Sequence, residues 1–112
     1  MNWPGKYILV GQTAVPEPDL LRWGHWMEQA DRIVFQTEIP GGLVSTVFLG
    51  LDHQFDPDGP PLLFETMVFR DGEGHEQERC STWLEAEAQH RATVEREMQG
   101  ASWRPPPMEF PT

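Results

Sequence analysis

Positive charge and cysteine are both scarce in this chain of 112 residues. Eight Lys plus Arg stand against 18 Asp plus Glu, which gives a formal net charge of −10. A surface this acidic repels phosphate and therefore disfavours direct binding to nucleic acid. The single cysteine, Cys80, excludes an internal disulfide and is typical of a protein from a reducing cytoplasm.

Long apolar runs are also missing. None approaches the roughly 18 residues that a membrane-spanning helix needs, and the run in MNWPGKYILV is too short for a secretory signal peptide. We therefore expect a soluble, cytoplasmic protein without a membrane partner. Five Trp and six Phe supply large core side chains, so residues 1–100 are expected to form one folded domain.

The segment Leu43–Arg70 carries the strongest pattern in the sequence. Two β-type runs, Leu43–Leu51 and Leu62–Phe69, flank an acidic connector rich in Pro and Gly. Leu43–Leu51 is apolar on both faces, and Leu62–Phe69 is the same kind of run with one ionisable residue, which predicts strands in the interior of a sheet. The connector is expected to lie in water at one end of that sheet. Its polar residues are Asp52, His53, Asp56 and Asp58.

The segments before Leu43 predict a strand, a helix and a second strand. Lys6–Val10 is typical of a short strand ended by Gly11, and Asp19 is a suitable N-cap for a helix over Leu20–Ala30. Arg32–Ile39 alternates in polarity, and the Pro-Gly-Gly that follows predicts a hairpin. The alternation places four residues on one face of that strand, namely Ile33, Phe35, Thr37 and Ile39.

The segments after Phe69 predict an edge strand, a helix and an irregular arm. His75–Cys80 is polar enough for a sheet edge, and Thr82 with Glu85 has the spacing of a capping box. The helix is expected to end at Gly100, with His90 on its sheet-facing side. Residues 101–112 contain three consecutive prolines and predict an extended arm.

These elements predict an α+β fold with two layers. An antiparallel sheet of four to five strands packs against two helices, in the order β-α-β-β-β-(β)-α.

One interpretation of the polar residues is a metal site, with Asp52, His53, Glu65 and His90 as its candidate ligands. The sequence contains none of the usual histidine or cysteine metal spacings, and each residue has another reading. For His90 a core histidine is favoured over a ligand, and for Asp52 the capping of a turn is favoured over a functional role. Glu65 either needs a partner on a buried face or lies on a solvent-facing stripe. Its candidate partners are His53, His90, Arg79 and Arg32, and the stripe would include Met67 and Phe69.

No catalytic residue is assigned. The sequence has no nucleophile elbow, P-loop or Gly-rich phosphate cradle, and Cys80 has no nearby Lys and follows Glu78 and Arg79, so no depressed thiol pKa is predicted. A binding protein is therefore favoured over an enzyme, and no cofactor is predicted beyond the divalent metal considered above.

Three strings resemble small uncharacterised proteins encoded by tailed bacteriophages and prophages. They are VSTVFLGLDH (44–53), PPLLFETMVF (60–69) and ERCSTWLEAEAQH (78–90), within a resemblance that runs from about Lys6 to His90. Those proteins often have an aromatic residue where this chain has Cys80, so a family-wide nucleophile is not expected there. The resemblance implies a bacterial host cytoplasm and action by binding host or phage proteins, including inhibition of a defence system.

The preferred hypothesis is a protein that binds a basic protein surface of host or phage, with nucleic-acid mimicry as its most specific form. Besides the connector, the binding surface would include the acidic turn and strand with Asp71, Glu73, Glu76 and Glu78. One alternative is the small metal- or ligand-binding protein. Another is a virion or assembly component that oligomerises through the Leu62–Phe69 face. The oligomeric state itself is left open.

Overall fold

The α+β class is confirmed by the computed structural model, which describes residues 5–52 and 58–99. The elements in chain order are β1 (Tyr7–Val10), β2 (Thr13–Pro16), α1 (Leu20–Gln29), β3 (Ile33–Ile39), β4 (Gly42–Phe48), β5 (Phe64–Arg70), β6 (Glu73–Cys80) and α2 (Trp83–Gln99).

Four of the strands form one antiparallel sheet in the order β3-β4-β5-β6. β4 and β5 are its internal strands, as their apolar character predicts, and the polar β6 lies at an edge. Asp71 and Gly72 connect β5 to β6 with φ values of 55° and 80°. Two successive residues at positive φ are typical of tight hairpins, because that turn matches the twist of the strands.

The first two strands form a separate two-stranded sheet, and the sequence did not predict β2. Gly11, at φ 64°, reverses the chain instead of ending the β structure, so β1 pairs with β2 and does not extend the larger sheet. The hairpin is tied to the end of β4 by the Tyr7 amide, which donates to the Gly50 carbonyl at 2.9 Å.

β3 departs from strict alternation at its start. A bulge between Ile33 and Phe35 shifts the register against β4. Since a bulge turns the residues before it relative to those after it, Ile33 is half exposed and Val34 packs on the core. The prediction that Ile33 shares a face with Phe35 is therefore wrong.

α2 covers one face of the four-stranded sheet. At one end Val44 and Val68 pack against Val94 and Met98 of the helix. At the other end Phe48, Leu63, Phe64 and Ala86 form the most buried cluster. The predicted capping box starts this helix, because the Glu85 amide donates to Thr82 Oγ1 at 3.1 Å and Glu85 Oε1 accepts from the Thr82 amide at 3.2 Å.

α1 packs against β1 and the end of β4. Asp19 caps its first turn by accepting from the amides of Leu21 and Arg22, as predicted. Trp26 meets the ring of Phe48 edge to face at 5.7 Å between centroids, so α1 packs on the same end of the core as the start of α2.

Neither helix of the described chain is long and apolar enough to cross a membrane.

Candidate functional site

His90 lies in the core between α2 and the sheet, with 7% of its surface exposed. Its Nε2 is 2.9 Å from Thr37 Oγ1 on β3, and its Nδ1 is 2.8 Å from Thr46 Oγ1 on β4. The Thr46 hydroxyl also meets Thr66 Oγ1 on β5 at 2.6 Å. We call this set, with Gln89, the histidine–threonine network.

The direction of each hydrogen bond in this network follows from Gln89. Its amide nitrogen donates to the Glu78 carbonyl and to Thr66 Oγ1. Thr66 is buried and accepts from Gln89, so its own proton has one described acceptor, Thr46 Oγ1. Thr46 then donates to His90 Nδ1, and His90 carries its proton on Nε2, which donates to Thr37.

This tautomer determines whether His90 can act as a base toward Thr37. A general base that activated Thr37 would have to accept its proton at Nε2, but Nε2 is the donor. Desolvation by burial also lowers the pKa of His90 below its ordinary 6.5, which favours the neutral ring. The network therefore links β3, β4, β5 and α2 through buried side chains, and in this tautomer His90 does not act as a base toward Thr37.

Stability is expected to fall as the pH drops below about 6.5, which is the ordinary histidine value. The folded-state pKa is the lower one, so between the two values the unfolded chain binds more protons and acid favours unfolding. Because a single proton is involved, the free energy of unfolding changes by at most about 1.4 kcal/mol per pH unit. Urea unfolding between pH 7.5 and 5.5 measures it. The slope should largely disappear in His90→Gln, and an equal slope in both proteins would contradict this role.

Glu65 lies on the sheet face that points away from α2. It is opposite Val47 and Arg79 in the ladder, one residue out of phase with Thr66, and its carboxylate meets Arg79 Nε at 3.0 Å. Both readings of Glu65 are thus partly right. It shares a stripe with Met67 and Phe69, yet it is 9% exposed and paired.

The proposed metal set is not brought together by this geometry, because Glu65 and His90 lie on opposite faces of the sheet and have other partners. Asp52 Oδ1 accepts from the Leu62 amide at 2.9 Å and so closes the base of the connector. His53 and Asp56 lie outside the described residues. Across residues 5–52 and 58–99, no three His, Cys, Asp or Glu side chains are grouped to hold a metal ion.

The predicted acidic turn and strand are exposed throughout. Asp71 and Glu73 lie at the β5–β6 turn, while Glu76 and Glu78 lie further along β6, the outermost strand of the sheet. We call these four residues the acidic edge. Asp58, in the connector, is also exposed.

Cys80, at the end of β6, is partly buried. Burial raises the pKa of its thiol from 9.0 to about 11, with a further contribution from the charge of Glu85. At neutral pH the side chain is therefore a thiol and not a thiolate, in line with the sequence interpretation.

A groove of about 590 Å³ separates the β1–β2 hairpin from the start of α2. Its volume is within the roughly 300–1,000 Å³ typical of ligand pockets. Glu87 lies on one side, and Leu84, 75% exposed, lies on the rim. We call it the hairpin groove, and its apolar lining is Tyr7, Ala14, Pro60, Pro61, Leu63, Trp83 and Leu84.

Comparison with known proteins adds no relative. No family model, curated protein or solved structure matches this chain.

Sequence reasoning missed the hairpin groove and most of the histidine–threonine network. The groove joins β1 and β2 to α2, so its walls are about 70 residues apart in the chain and leave no local pattern. The orientation of His90 was predicted from helical periodicity. Its partners Thr37 and Thr46 lie on β3 and β4. The alternation of polarity in β3 could have indicated Thr37, because it places this residue on the same face as Ile39.

Proposed function

We propose that this chain is a non-enzymatic binding protein whose acidic edge engages a basic surface on another protein. The observation that carries the proposal is the position of four exposed carboxylates, three on the edge strand β6 and one, Asp71, in the turn before it. Within the described chain no further strand pairs with the outer side of β6. The edge is therefore accessible to a partner, apart from the Glu78 carbonyl, which accepts from Gln89.

The nearby cations leave this charge mostly uncompensated. Arg70 pairs with Glu97 and Arg79 with Glu65, so neither neutralises the acidic edge. Glu76 alone among the four has an ion pair in the described chain, with Arg96 at 2.7 Å. Both side chains of that pair are about half exposed, and such pairs hold together weakly. A basic partner surface could displace it.

The finer form of the proposal is mimicry of nucleic acid, in a phage or prophage protein that acts on a host or phage protein in the bacterial cytoplasm. Glu76 and Glu78 lie on the same side of β6. Alternate residues of an extended strand are about 6.8 Å apart, which is two steps of the roughly 3.4 Å charge spacing along one nucleic-acid strand. Inhibition of a host defence protein that holds nucleic acid is the most specific role we propose, and it rests on the resemblance to phage and prophage proteins.

Charge neutralisation on the acidic edge tests the proposal. The full-length chain is used to capture partners from a bacterial extract, and the affinity of the captured protein is then measured. The triple variant Asp71→Asn, Glu73→Gln, Glu78→Gln should bind about 10-fold more weakly, because three exposed pairs of roughly 0.5 kcal/mol each sum to about 1.5 kcal/mol. Raising salt from about 50 to 500 mM should weaken binding in the same direction.

The matched control removes the same charge elsewhere. Glu28→Gln, Glu38→Gln, Glu95→Gln alters three other exposed carboxylates and should leave the affinity nearly unchanged. Equal losses of affinity in the two triple variants would show that only the net charge matters. An affinity that changes neither with salt nor in the edge variant would refute the proposal. Comparing duplex DNA with polyglutamate as competitors at equal charge separates mimicry from general charge attraction, since any basic surface binds both polyanions but a nucleic-acid-binding surface prefers the duplex.

A further inference from the structure

The face of the four-stranded sheet that points away from α2 has no helix over it in the described chain. α2 packs on the opposite face, and α1 contacts β1 and the end of β4. Under α2, Val44, Phe48 and Val68 are at most 2% exposed. On the uncovered side, which we call the open face, Leu43 and Val47 are only partly buried. Apolar side chains left in this state on internal strands are typical of a surface that another segment covers.

The open face is apolar along its middle and carries little charge. The strand register places three rows of side chains on it, namely Glu38, Leu43, Phe69 and Gly74, then Gln36, Ser45, Met67 and Gln77, then Val47, Glu65 and Arg79. A methyl group on Gly74 would lie 2.8 Å from Met67 Cε and 3.6 Å from Phe69 Cε1. Met67 and Phe69 therefore lean over β6 and extend the apolar surface toward the sheet edge. Glu65 and Arg79 pair with each other, so the charge of these rows is small.

The end of α2 lies beside the first of these rows. Met98 packs against Val44 and Val68, and Glu97 pairs at 2.7 Å with Arg70, the neighbour of Phe69 in β5. Residues 100–112 continue from this point and lie outside the described residues. The C-terminal segment therefore starts at the end of the sheet where the open face begins.

The length of this segment exceeds the path it needs. Packed layers lie about 10 Å apart, so a chain that leaves α2 and passes round the end of the sheet travels roughly 20 to 25 Å to lie on the open face. Met108 and Phe110 follow Gln99 by nine and eleven residues, which span up to about 30 and 36 Å. Side-chain lengths add to this reach, so both residues reach the open face with slack.

The composition of the segment matches this surface. It contains Trp103, Met108 and Phe110 among four prolines, and its two charges, Arg104 and Glu109, cancel. A proline-rich segment has few amide donors and no internal hydrogen bonds to preserve, so it can cover apolar side chains without a strand partner.

The tether determines which copy of the segment is favoured. A segment on a linker long enough for its path has an effective concentration in the millimolar range. A second copy must instead approach against a net charge of −10 on each molecule. We propose that residues 103–110 of the same chain fold back onto the open face. In this arrangement Met108 and Phe110 lie against Phe69 and its apolar neighbours.

Nuclear Overhauser contacts in the full-length protein test this inference. In a uniformly labelled sample, the Met108 methyl group should show contacts with the ring of Phe69. In an equal mixture of labelled and unlabelled protein, isotope-filtered spectra should show no such contact between molecules. Contacts between molecules would overturn the proposal in favour of assembly through the open face. Contacts with Tyr7 or Trp83, which would place the segment in the hairpin groove, or no contacts at all would overturn it as well.

A double variant of the segment supplies a second readout. Met108→Ser, Phe110→Ser removes the apolar contacts and leaves the described domain unaltered. Nile red, a neutral dye that brightens on apolar surfaces, should then fluoresce about threefold more strongly, because the open face is uncovered. Leu84→Ser removes an exposed apolar side chain elsewhere and is the matched control, which should not raise the fluorescence. Equal fluorescence of the wild-type chain and the double variant would contradict the proposal. Partner capture by the acidic edge, a different surface, should be unchanged in the double variant.

Discussion

Replacing Gly42 with alanine is expected to destabilise the protein by at least about 2 kcal/mol. Gly42 begins β4 directly opposite Arg70. A methyl group there would overlap the carbonyl oxygen of Phe69 and lie 3.2 Å from Arg70 Cα. These are backbone atoms of an internal strand, hydrogen-bonded on both sides, so they cannot move aside as the end of a flexible side chain could. Urea unfolding of the variant measures the loss.

Gly24→Ala is the matched control. Gly24 lies in the middle of α1, and an added methyl group would meet nothing within 4 Å. Alanine is the better helix former, so this variant should be more stable by up to about 1 kcal/mol. The same substitution thus has opposite signs at the two glycines. A Gly42 variant as stable as the parent would mean that the β4–β5 register is wrong.

Thr46→Val is expected to cost about 2 to 6 kcal/mol, because two buried partners lose their hydrogen bonds and each costs roughly 1 to 3 kcal/mol. Valine keeps the shape of threonine and removes the hydroxyl. His90 Nδ1 is then left without its donor, and the Thr66 hydroxyl without its acceptor. Thermal or urea unfolding gives the difference.

Thr93→Val controls for the change of side chain. Thr93 is as buried as Thr46, at 1% and 0% exposed, but its hydroxyl donates only to the Gln89 carbonyl one turn earlier in α2. Nothing is stranded when it is removed, so the expected cost is below about 1 kcal/mol. Similar losses at Thr46 and Thr93 would show that the histidine–threonine network adds no more than a local bond.

The parts of the fold that the sequence predicted depend on neighbours in the chain. Asp19 and the Thr82–Glu85 pair cap helices through bonds that span two to three residues. The internal position of β4 followed from apolar residues on both of its faces, since no solvated strand tolerates that pattern. The polar edge strand followed from the same reasoning.

The parts that escaped prediction depend on distant residues. His90 was expected to face the sheet, but its partners Thr37 and Thr46 are 53 and 44 residues away in the chain. β2 is only four residues long and is defined by its pairing with β1. Glu65 shows the limit most clearly, because the sequence left four candidate partners, and only the register between β5 and β6 selects Arg79.

The charge on β6 also bears on how the molecule behaves in concentrated solution. An exposed edge strand can pair with the edge strand of another molecule and so start aggregation. Carboxylates along the strand oppose this, because they repel the same carboxylates of a second copy. Asp71, Glu73 and Glu78 therefore protect solubility by the same property that attracts a basic partner. Variants in which these carboxylates are neutralised should be studied at low concentration, so that aggregation through the sheet edge is not mistaken for loss of partner binding.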